Sequence, residues 1–271
     1  MIFVSKQWEG VWFSDPILDF DESIGNYYGH AQHEKFVKFI NNILKRYLKF
    51  CDDQELKLLA VKKFRLCMRR YLSSDAPNVD KWLSLLFERS IEELDISLIS
   101  GITGDLENYS VSHTTLVNAK SLTSLNLECV TIKNMDGYYS YTYEVKKRTM
   151  VPRADDLVSK CLLPSLKTMS LKTVQFDHGA LFPLIWECPV IEFLSLTSCS
   201  FENCRDYCQH LFSSSLKFLN IDKCNFIGLR IGEAVNLESF RLVSPLLEDL
   251  VLDNCVKLKD MNIENTRWNQ Y

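Results

Sequence analysis

Apolar residues recur along this chain at fixed spacings, and the clearest pattern lies between residues 166 and 226. Three segments repeat the same order of apolar and polar positions every 25 residues: LKTMSLKTVQF from Leu166, IEFLSLTSCSF from Ile191 and LKFLNIDKCNF from Leu216. Each contains two apolar residues separated by one position, which is typical of a short strand with alternate side chains pointing inward. The pattern predicts a repeating strand, and the flanking apolar residues bury the turns before and after it.

This spacing is that of a leucine-rich repeat. A single repeat cannot bury its own apolar side chains, whereas stacked repeats share a continuous core. Weaker copies extend the series in both directions: VKKFRL from Val61, SIEELDIS from Ser90, SLTSLNLEC from Ser121 and LLEDLVLDNC from Leu246. The predicted strand centres are Phe64, Leu94, Leu125, Met169, Leu194, Leu219 and Leu250. We therefore expect an α/β fold, a leucine-rich-repeat solenoid that forms an irregular right-handed β/α superhelix with a short N-terminal helical region.

A shorter spacing follows Leu219. Apolar positions recur there at Leu229, Phe240, Leu250 and Met261, at intervals of 10 or 11 residues. Such an interval is too short for one whole repeat. We interpret these positions as alternating inner strands and outer return strands, and a run of truncated repeats is the alternative that the sequence leaves open.

Three further segments predict elements outside these strands. Val4, Trp8, Val11 and Trp12 have helical spacing, and Asp15-Pro16 ends that helix because a residue before proline disfavours the α conformation. Residues 33–50 have an apolar helical face with lysines opposite, which indicates a helix that caps the end of the array. The apolar residues 82–87 predict a helix between the first two strands. Residues 132–163 break the repeat and indicate a long inserted loop, either functional or merely tolerated.

Composition narrows the classes of function. A chain of 271 residues with 46% hydrophobic content fits one elongated repeat domain. The formal charge of -4 argues against general nucleic-acid binding. No run approaches the ~20 apolar residues needed to span a bilayer, and no secretory signal is recognisable. We therefore expect ten reduced cysteines in a cytoplasmic or nuclear protein that binds neither nucleic acid nor membrane.

Cysteine and histidine are the residue types here that could carry metal binding or nucleophilic catalysis. Cys199, Cys204, Cys208 and His210 could supply four zinc ligands, but their spacing is not that of a standard zinc finger. Cys199 also shares a repeat position with Cys224 and Cys255, where a small, weakly polar side chain can lie beneath the strand as the chain turns. The histidines are scattered, and no catalytic motif or glycine-rich phosphate loop is present. The sequence therefore predicts no enzyme, no catalytic residue, no cofactor and no metal.

Several segments resemble one known family. VSKQWEGVWFSDPILDFDES, from Val4, is similar to the last helix of an F-box and the following linker in plant F-box/leucine-rich-repeat proteins, including those with an FBD domain. VKKFRL, VDKWLSLLFERSIEELDIS, LPSLKTMSLKTVQF and CPVIEFLSLTSC resemble that family's successive repeats, so the resemblance covers nearly the whole chain. It implies that residues 1–22 are a remnant of the F-box C-terminal helix and linker. Residues 23–271 would then be a leucine-rich-repeat domain with an N-terminal capping helix.

The resemblance also implies a function. In that family the F-box binds a Skp-type adaptor of a cullin ubiquitin ligase, and the repeats select the protein to be ubiquitinated. We accordingly expect a substrate-recognition subunit with a protein substrate and a Skp-type adaptor as partners, Trp8 and Trp12 being the remnant of the adaptor contact. The Leu-Pro start and the first two helices of an F-box have no match in this chain. A ligase-independent binding or decoy protein is therefore the alternative.

The solenoid fold predicts where a partner binds. Residues between the buried positions of each strand face the open, concave side of the sheet. The predicted binding residues are Thr168, Ser170, Lys172, Phe193, Ser195, Thr197, Phe218, Asn220, Asp222, Asp249, Val251 and Asp253. Adjacent repeats would place Phe193 beside Phe218, as an aromatic pair that either contacts a partner or merely covers itself.

Overall fold

The computed structural model describes residues 17–25, 30–53, 61–100, 107–111, 113–116, 118–133, 141–144, 149–152, 163–177, 180–186, 188–201, 208–225 and 227–264. Strands and helices are numbered below in chain order as β1 to β18 and α1 to α4.

Nine strands of the described chain form one parallel sheet, called the main sheet. In their spatial order they are β1 (Ile17–Asp21), β2 (Lys63–Tyr71), β3 (Glu93–Ser100), β5 (Ser124–Glu128), β9 (Thr168–Lys172), β11 (Phe193–Thr197), β14 (Phe218–Asp222), β16 (Ser239–Val243) and β18 (Asp260–Glu264). The order of the strands in the sheet is their order in the chain, so each strand pairs with the main-sheet strand that precedes it. This is the stacking that the repeat pattern predicts.

One row of apolar residues crosses the main sheet, each member paired with the next on the neighbouring strand. Its members are Leu18, Phe64, Leu94, Leu125, Met169, Leu194, Leu219, Phe240 and Met261. All but Met261 are at most 2% exposed. The six predicted strand centres from Phe64 to Leu219 are therefore confirmed, and one core extends through the described strands.

The core side of the main sheet is covered by a second layer of parallel strands, which belong to two further sheets. The first contains β4 (Tyr109–Val111), β6 (Val130–Ile132), β10 (Gln175–Phe176) and β12 (Ser200–Phe201). The second contains β13 (Cys208–Phe212), β15 (Gly228–Gly232) and β17 (Asp249–Leu252). Buried residues of both belong to the same core cluster as the main sheet.

The predicted alternation after Leu219 is confirmed. Phe240 and Met261 lie in the main sheet, whereas Leu229 and Leu250 lie in the second layer. The prediction that Leu250 is the centre of a main-sheet strand is therefore wrong. Return strands of the second layer bury one face against the same core, so their alternation of apolar and polar residues resembles that of the inner strands.

The described part of the predicted insertion forms an antiparallel hairpin. Its strands are β7 (Tyr141–Glu144) and β8 (Thr149–Pro152). Because β5 and β9 pair directly with each other in the main sheet, the segment between them interrupts no ladder. The prediction of an insertion at this place is confirmed, although the sequence did not predict the hairpin.

Helices complete the connections, namely α1 (His30–Asp53), α2 (Ala76–Glu88), α3 (His113–Leu116) and α4 (Leu181–Trp186). The buried residues of α1 fall at helical spacing, as in Phe36, Ile40 and Leu44. The Trp82 Nε1 of α2 donates to Asn41 Oδ1 of α1 over 2.9 Å, so the two helices are in contact. The helices predicted around residues 33–50 and 82–87 are thus confirmed.

The N-terminal region differs in part from its prediction. The helix predicted from Val4 to Trp12 lies outside the described residues. Residues 17–21, predicted to be linker, form the edge strand β1. Helix α1 therefore connects β1 to β2 instead of preceding the first strand. The capping role of α1 and the domain boundary at residue 22 stay predictions.

A left-handed residue ends several main-sheet strands and turns the chain toward the second layer. Thr173, Ser198 and Lys223 have φ of 52°, 52° and 55°. Each donates its backbone N–H to a carbonyl of the next strand, over 2.7 to 2.8 Å. The following residue is buried: Cys199 Sγ, for example, donates to the carbonyl of Leu171 over 3.3 Å. The expectation of a small, weakly polar side chain beneath the strand is confirmed at this position.

Candidate functional site

The main sheet has a core side and an opposite side, called here the open face. The open face consists of the residues that alternate with the core residues along each strand. In β9, for example, Met169 and Leu171 are fully buried, whereas Lys172 is exposed. Because the strands pair in register, open-face residues of successive strands form continuous rows across the sheet.

Phe193 and Phe218 form an aromatic pair on this face. They are directly paired between β11 and β14, and their side chains are 36% and 45% exposed. The row continues with Thr168 on one side and Ser239 on the other. The predicted position of the pair is confirmed, and its exposure leaves an apolar patch bordered by hydroxyl groups.

A hydrogen-bonded polar row lies next to the aromatic pair. Ser195, Asn220 and Arg241 are paired across β11, β14 and β16. Asn220 Nδ2 donates to Ser195 Oγ over 3.0 Å, and Arg241 Nη1 donates to Asn220 Oδ1 over 3.3 Å. Ser195 is only 8% exposed. These contacts fix the orientation of the Asn220 amide before any partner binds.

Acidic residues at the N-terminal end of the open face form ion pairs within the molecule. Arg65 contacts Asp19 at 2.9 Å and Asp21 at 3.1 Å, and its Nε lies 3.8 Å from Asp95. Burial raises the pKa of Asp21, but hydrogen bonds from Ser23 and Arg65 outweigh burial and leave that pKa lowered. These contacts form an ion-paired ladder across the first three strands.

Glu128, in the middle of the open face, is also ion-paired within the protein. Lys172 Nζ lies 2.7 Å from its carboxylate, and Ser97 Oγ donates to it over 2.8 Å. Burial raises the pKa of Glu128, but the hydrogen bonds from Lys172 and Ser97 outweigh burial and hold the pKa below its ordinary value. The carboxylate is therefore ionised and has its cation within the protein.

The C-terminal part of the open face has a different charge distribution. Its strands β14, β16 and β18 carry the acids Asp222, Asp260 and Glu264 and the cation Arg241. Ser239 Oγ donates to Asp260 over 3.3 Å. In the part of the chain that the structure describes, no ion pair neutralises these three acids. This region of the open face is therefore acidic, and it adjoins the aromatic pair.

The structure brings together most of the predicted binding residues. Those of β9, β11 and β14 occupy neighbouring positions of the open face: Thr168, Ser170, Lys172, Phe193, Ser195, Thr197, Phe218, Asn220 and Asp222. Asp249, Val251 and Asp253 do not, because β17 belongs to the second layer and Asp253 pairs there with Arg230 at 3.0 Å. Their predicted placement on the open face is wrong. Trp8 and Trp12 lie outside the described residues.

Several residues of the open face were not predicted, among them Arg241, Asp260 and Glu264 in its C-terminal part. A usable signal existed in the alternation after Leu219, since it assigns Phe240 and Met261 to inner strands. The neighbours of these two residues along each strand then point to the open face.

A buried cluster of charged groups lies at the N-terminal end of the main sheet. His33 Nδ1 is 2.8 Å from Glu22 Oε1, its Nε2 is 2.9 Å from Asp75 Oδ2, and the three residues are 2% to 7% exposed. Hydrogen bonds to Asp75 and Glu22 raise the pKa of His33 to about 9. Glu22 Oε2 also accepts the backbone N–H groups of Arg69 and Arg70. The cluster joins α1 to the segments that follow β1 and β2, so we assign it a structural role.

The described residues contain neither a metal site nor a membrane-spanning helix. No group of three or more histidine, cysteine or acidic side chains there could hold a metal ion. Of the proposed zinc ligands, Cys204 lies outside the described residues. None of the described helices combines the length and the apolar character needed to cross a membrane.

Comparison with known proteins gives consistent matches. The family model of the leucine-rich repeats of the FBD-associated F-box protein At5g56370 matches residues 79–263. Among Arabidopsis thaliana proteins, F-box/LRR-repeat protein At3g58900 is 26% identical over 96% of this chain and 70% of its own length. F-box protein At3g59000 is 26% identical over 96% of this chain and 47% of its own length. FBD-associated F-box protein At5g38590 is 24% identical over 75% of this chain and 40% of its own length.

The chain is shorter than the proteins that it matches. It spans half or less of the length of most of these curated relatives. No solved structure matches it.

Proposed function

Because the chain belongs to the plant F-box/leucine-rich-repeat family of FBD-associated proteins, we propose that it is a solenoid that recognises a protein substrate for a cullin-type ubiquitin ligase. Recognition takes place on the open face of the main sheet, and the chain performs no chemistry of its own. The matches to F-box proteins over nearly the whole chain support the assignment to a ligase.

The observation that carries this proposal is the exposed pair Phe193 and Phe218. Two adjacent aromatic side chains on a mostly polar sheet face are of the kind enriched at the centres of protein interfaces. The neighbouring Ser195 and Asn220 are already hydrogen-bonded to each other. Such a surface binds with a smaller loss of side-chain entropy than a mobile one.

The proposed binding residues surround this pair. They are Thr168, Ser170, Lys172, Phe193, Ser195, Thr197, Phe218, Asn220 and Asp222, together with Arg241, Asp260 and Glu264. Among the described residues, Cys67, Cys129, Cys199, Cys224 and Cys255 form no disulfide, which is consistent with a reducing cytoplasmic or nuclear location.

The ligase assignment requires contact with a Skp-type adaptor, for which Trp8 and Trp12 are the proposed residues. Co-purification of the tagged full chain with a recombinant Skp-type adaptor tests this contact. We expect retention by the wild-type chain and by Phe39→Ala, which alters an exposed aromatic residue of α1. The variant Trp8→Ala/Trp12→Ala should lose the adaptor. If the wild-type chain does not retain the adaptor, the ligase-independent binding or decoy protein is the correct function.

A further inference from the structure

We infer that the open face recognises an extended, positively charged protein segment that presents an apolar side chain to Phe193 and Phe218. This inference rests on the proposed function, since it names the chemistry of the partner at the same face. It depends on three features of β11, β14, β16 and β18: an apolar patch, a preorganised polar row and a set of unneutralised acids.

The apolar patch supplies the anchor point. Phe193 and Phe218 are neighbours across one strand pair, so their backbone positions are about 5 Å apart along the row. A patch of two rings accommodates one aliphatic or aromatic side chain of a partner. The apolar patch ends at Thr168 on one side and at Ser239 on the other, both of which carry hydroxyl groups.

The acids determine the charge of the partner. Asp222, Asp260 and Glu264 face the open side on two strands, with Arg241 between them on the third. An apolar or acidic partner would remove these carboxylates from water without supplying a counter-ion, which is unfavourable. Lysine or arginine side chains supply the missing cations. Asp19 and Asp21, at the other end of the open face, already have a cationic partner in Arg65.

The geometry of the face also predicts a spacing. Phe218 and Asp222 lie four residues apart on β14, a distance of about 13 Å at ~3.3 Å per residue. An extended segment that runs along this strand brings an apolar residue to the patch and a basic residue to Asp222 when the two are about four positions apart. Between them, the fixed Asn220 amide and Arg241 face the backbone of the segment.

Selection of a random peptide display library on the folded full chain tests this inference. We expect enriched peptides to contain an aromatic or aliphatic residue with lysine or arginine about four positions away. A synthetic peptide of the enriched sequence then serves as the probe in fluorescence anisotropy. Its affinity should fall at least tenfold for Phe218→Ala and about tenfold for Asp222→Asn/Asp260→Asn/Glu264→Gln, and should weaken with added salt.

A control variant removes two exposed acids away from the open face, one in the turn after β15 and one in β17. Glu233→Gln/Asp249→Asn should bind the probe as the wild-type chain does. Circular dichroism of each variant shows whether its fold is retained. If Phe218→Ala does not fold, Phe218→Leu, which removes the ring but keeps an apolar side chain, takes its place.

The possible outcomes separate this inference from the proposed function. Peptides that need Phe218 but are acidic or uncharged would overturn the inference and leave the open face as the binding site. Peptides that bind equally well to Phe218→Ala, or the absence of any enrichment, would contradict both. A concentration-dependent dimer in sedimentation that Phe218→Ala abolishes would identify a second copy of the chain as the occupant and overturn the inference.

Discussion

Met169 and Met261 occupy the same core row of the main sheet, yet Met169 is fully buried and Met261 is 53% exposed. Met169 lies between β5 and β11, whereas Met261 lies on β18, at the end of the strand order. The same side chain thus experiences two environments at equivalent positions of one repeat pattern.

This relationship predicts unequal effects of the same substitution. Met169→Ala removes a buried side chain and leaves a cavity, so it should lower the free energy of unfolding by about 2 to 5 kcal/mol. Met261→Ala removes a side chain that is half in water already and should cost less than about 1 kcal/mol. Urea denaturation measures both values. Equal losses would contradict the difference in exposure between the two side chains.

The buried cluster predicts a large effect for His33. His33→Ala leaves Glu22 and Asp75 buried without their cation, which should lower the free energy of unfolding by about 3 to 5 kcal/mol. Lys38, on the exposed side of the same helix, pairs with Glu34 at 3.6 Å. Lys38→Ala should change the free energy of unfolding by no more than about 0.5 kcal/mol. A loss below 1 kcal/mol for His33→Ala, about that of an average substitution, would contradict the assigned role of the cluster.

The same cluster predicts a dependence on pH. Folding raises the pKa of His33 from 6.5 to about 9, so the folded state holds this proton more tightly than the unfolded state. Its contribution, about 3 kcal/mol, should be complete below pH 6.5 and lost as pH rises through about 9. The measured quantity is the difference in unfolding free energy between wild type and His33→Ala at about pH 6 and about pH 9.5. A difference that stays constant or grows with pH is the opposite of this prediction.

The left-handed turns predict a substitution that stabilises the fold. Thr173 is β-branched and has φ of 52°, a conformation that costs an L-residue about 1 to 2 kcal/mol and costs glycine little. Thr173→Gly should therefore raise the free energy of unfolding by up to about 1 kcal/mol, after the entropy cost of glycine is subtracted. Thr131 lies within β6, so Thr131→Gly should lower it by about 1 kcal/mol. Destabilisation by both substitutions to the same extent would show that Thr173 is not strained.

Sequence patterns predicted the strands of the main sheet because burial of one side of a strand requires apolar residues at alternate positions. The buried residues Leu94 and Leu194 are examples of such positions. Leu250 was misassigned because the second layer imposes the same alternation from the other side of the core. Strand β1 was missed because it contains only two core residues, Leu18 and Phe20. These two residues follow a segment with helical spacing and were therefore assigned to the linker after a helix.

The sequence predicted which residues lie side by side on the open face, but it did not predict which of its charged residues form ion pairs. Parallel pairing in register follows from equal repeats, and it correctly placed Phe193 beside Phe218. The ion pairs at one end of the face join residues 44 and 46 positions apart, as Arg65 does with Asp21 and Asp19. The His33 cluster likewise joins residues 11 and 42 positions apart. Such contacts depend on the fold as a whole and leave no local pattern in the sequence.

The central claim is that the open face around Phe193 and Phe218 recognises the protein partner. Quantitative mass spectrometry of proteins retained from plant extract by wild type, Phe193→Ala/Phe218→Ala and Phe39→Ala tests it most directly. Proteins that wild type and Phe39→Ala retain in equal amounts should be depleted at least tenfold on the double variant, since hot-spot aromatic residues supply much of the affinity of an interface. Equal retention by all three folded proteins would contradict the claim.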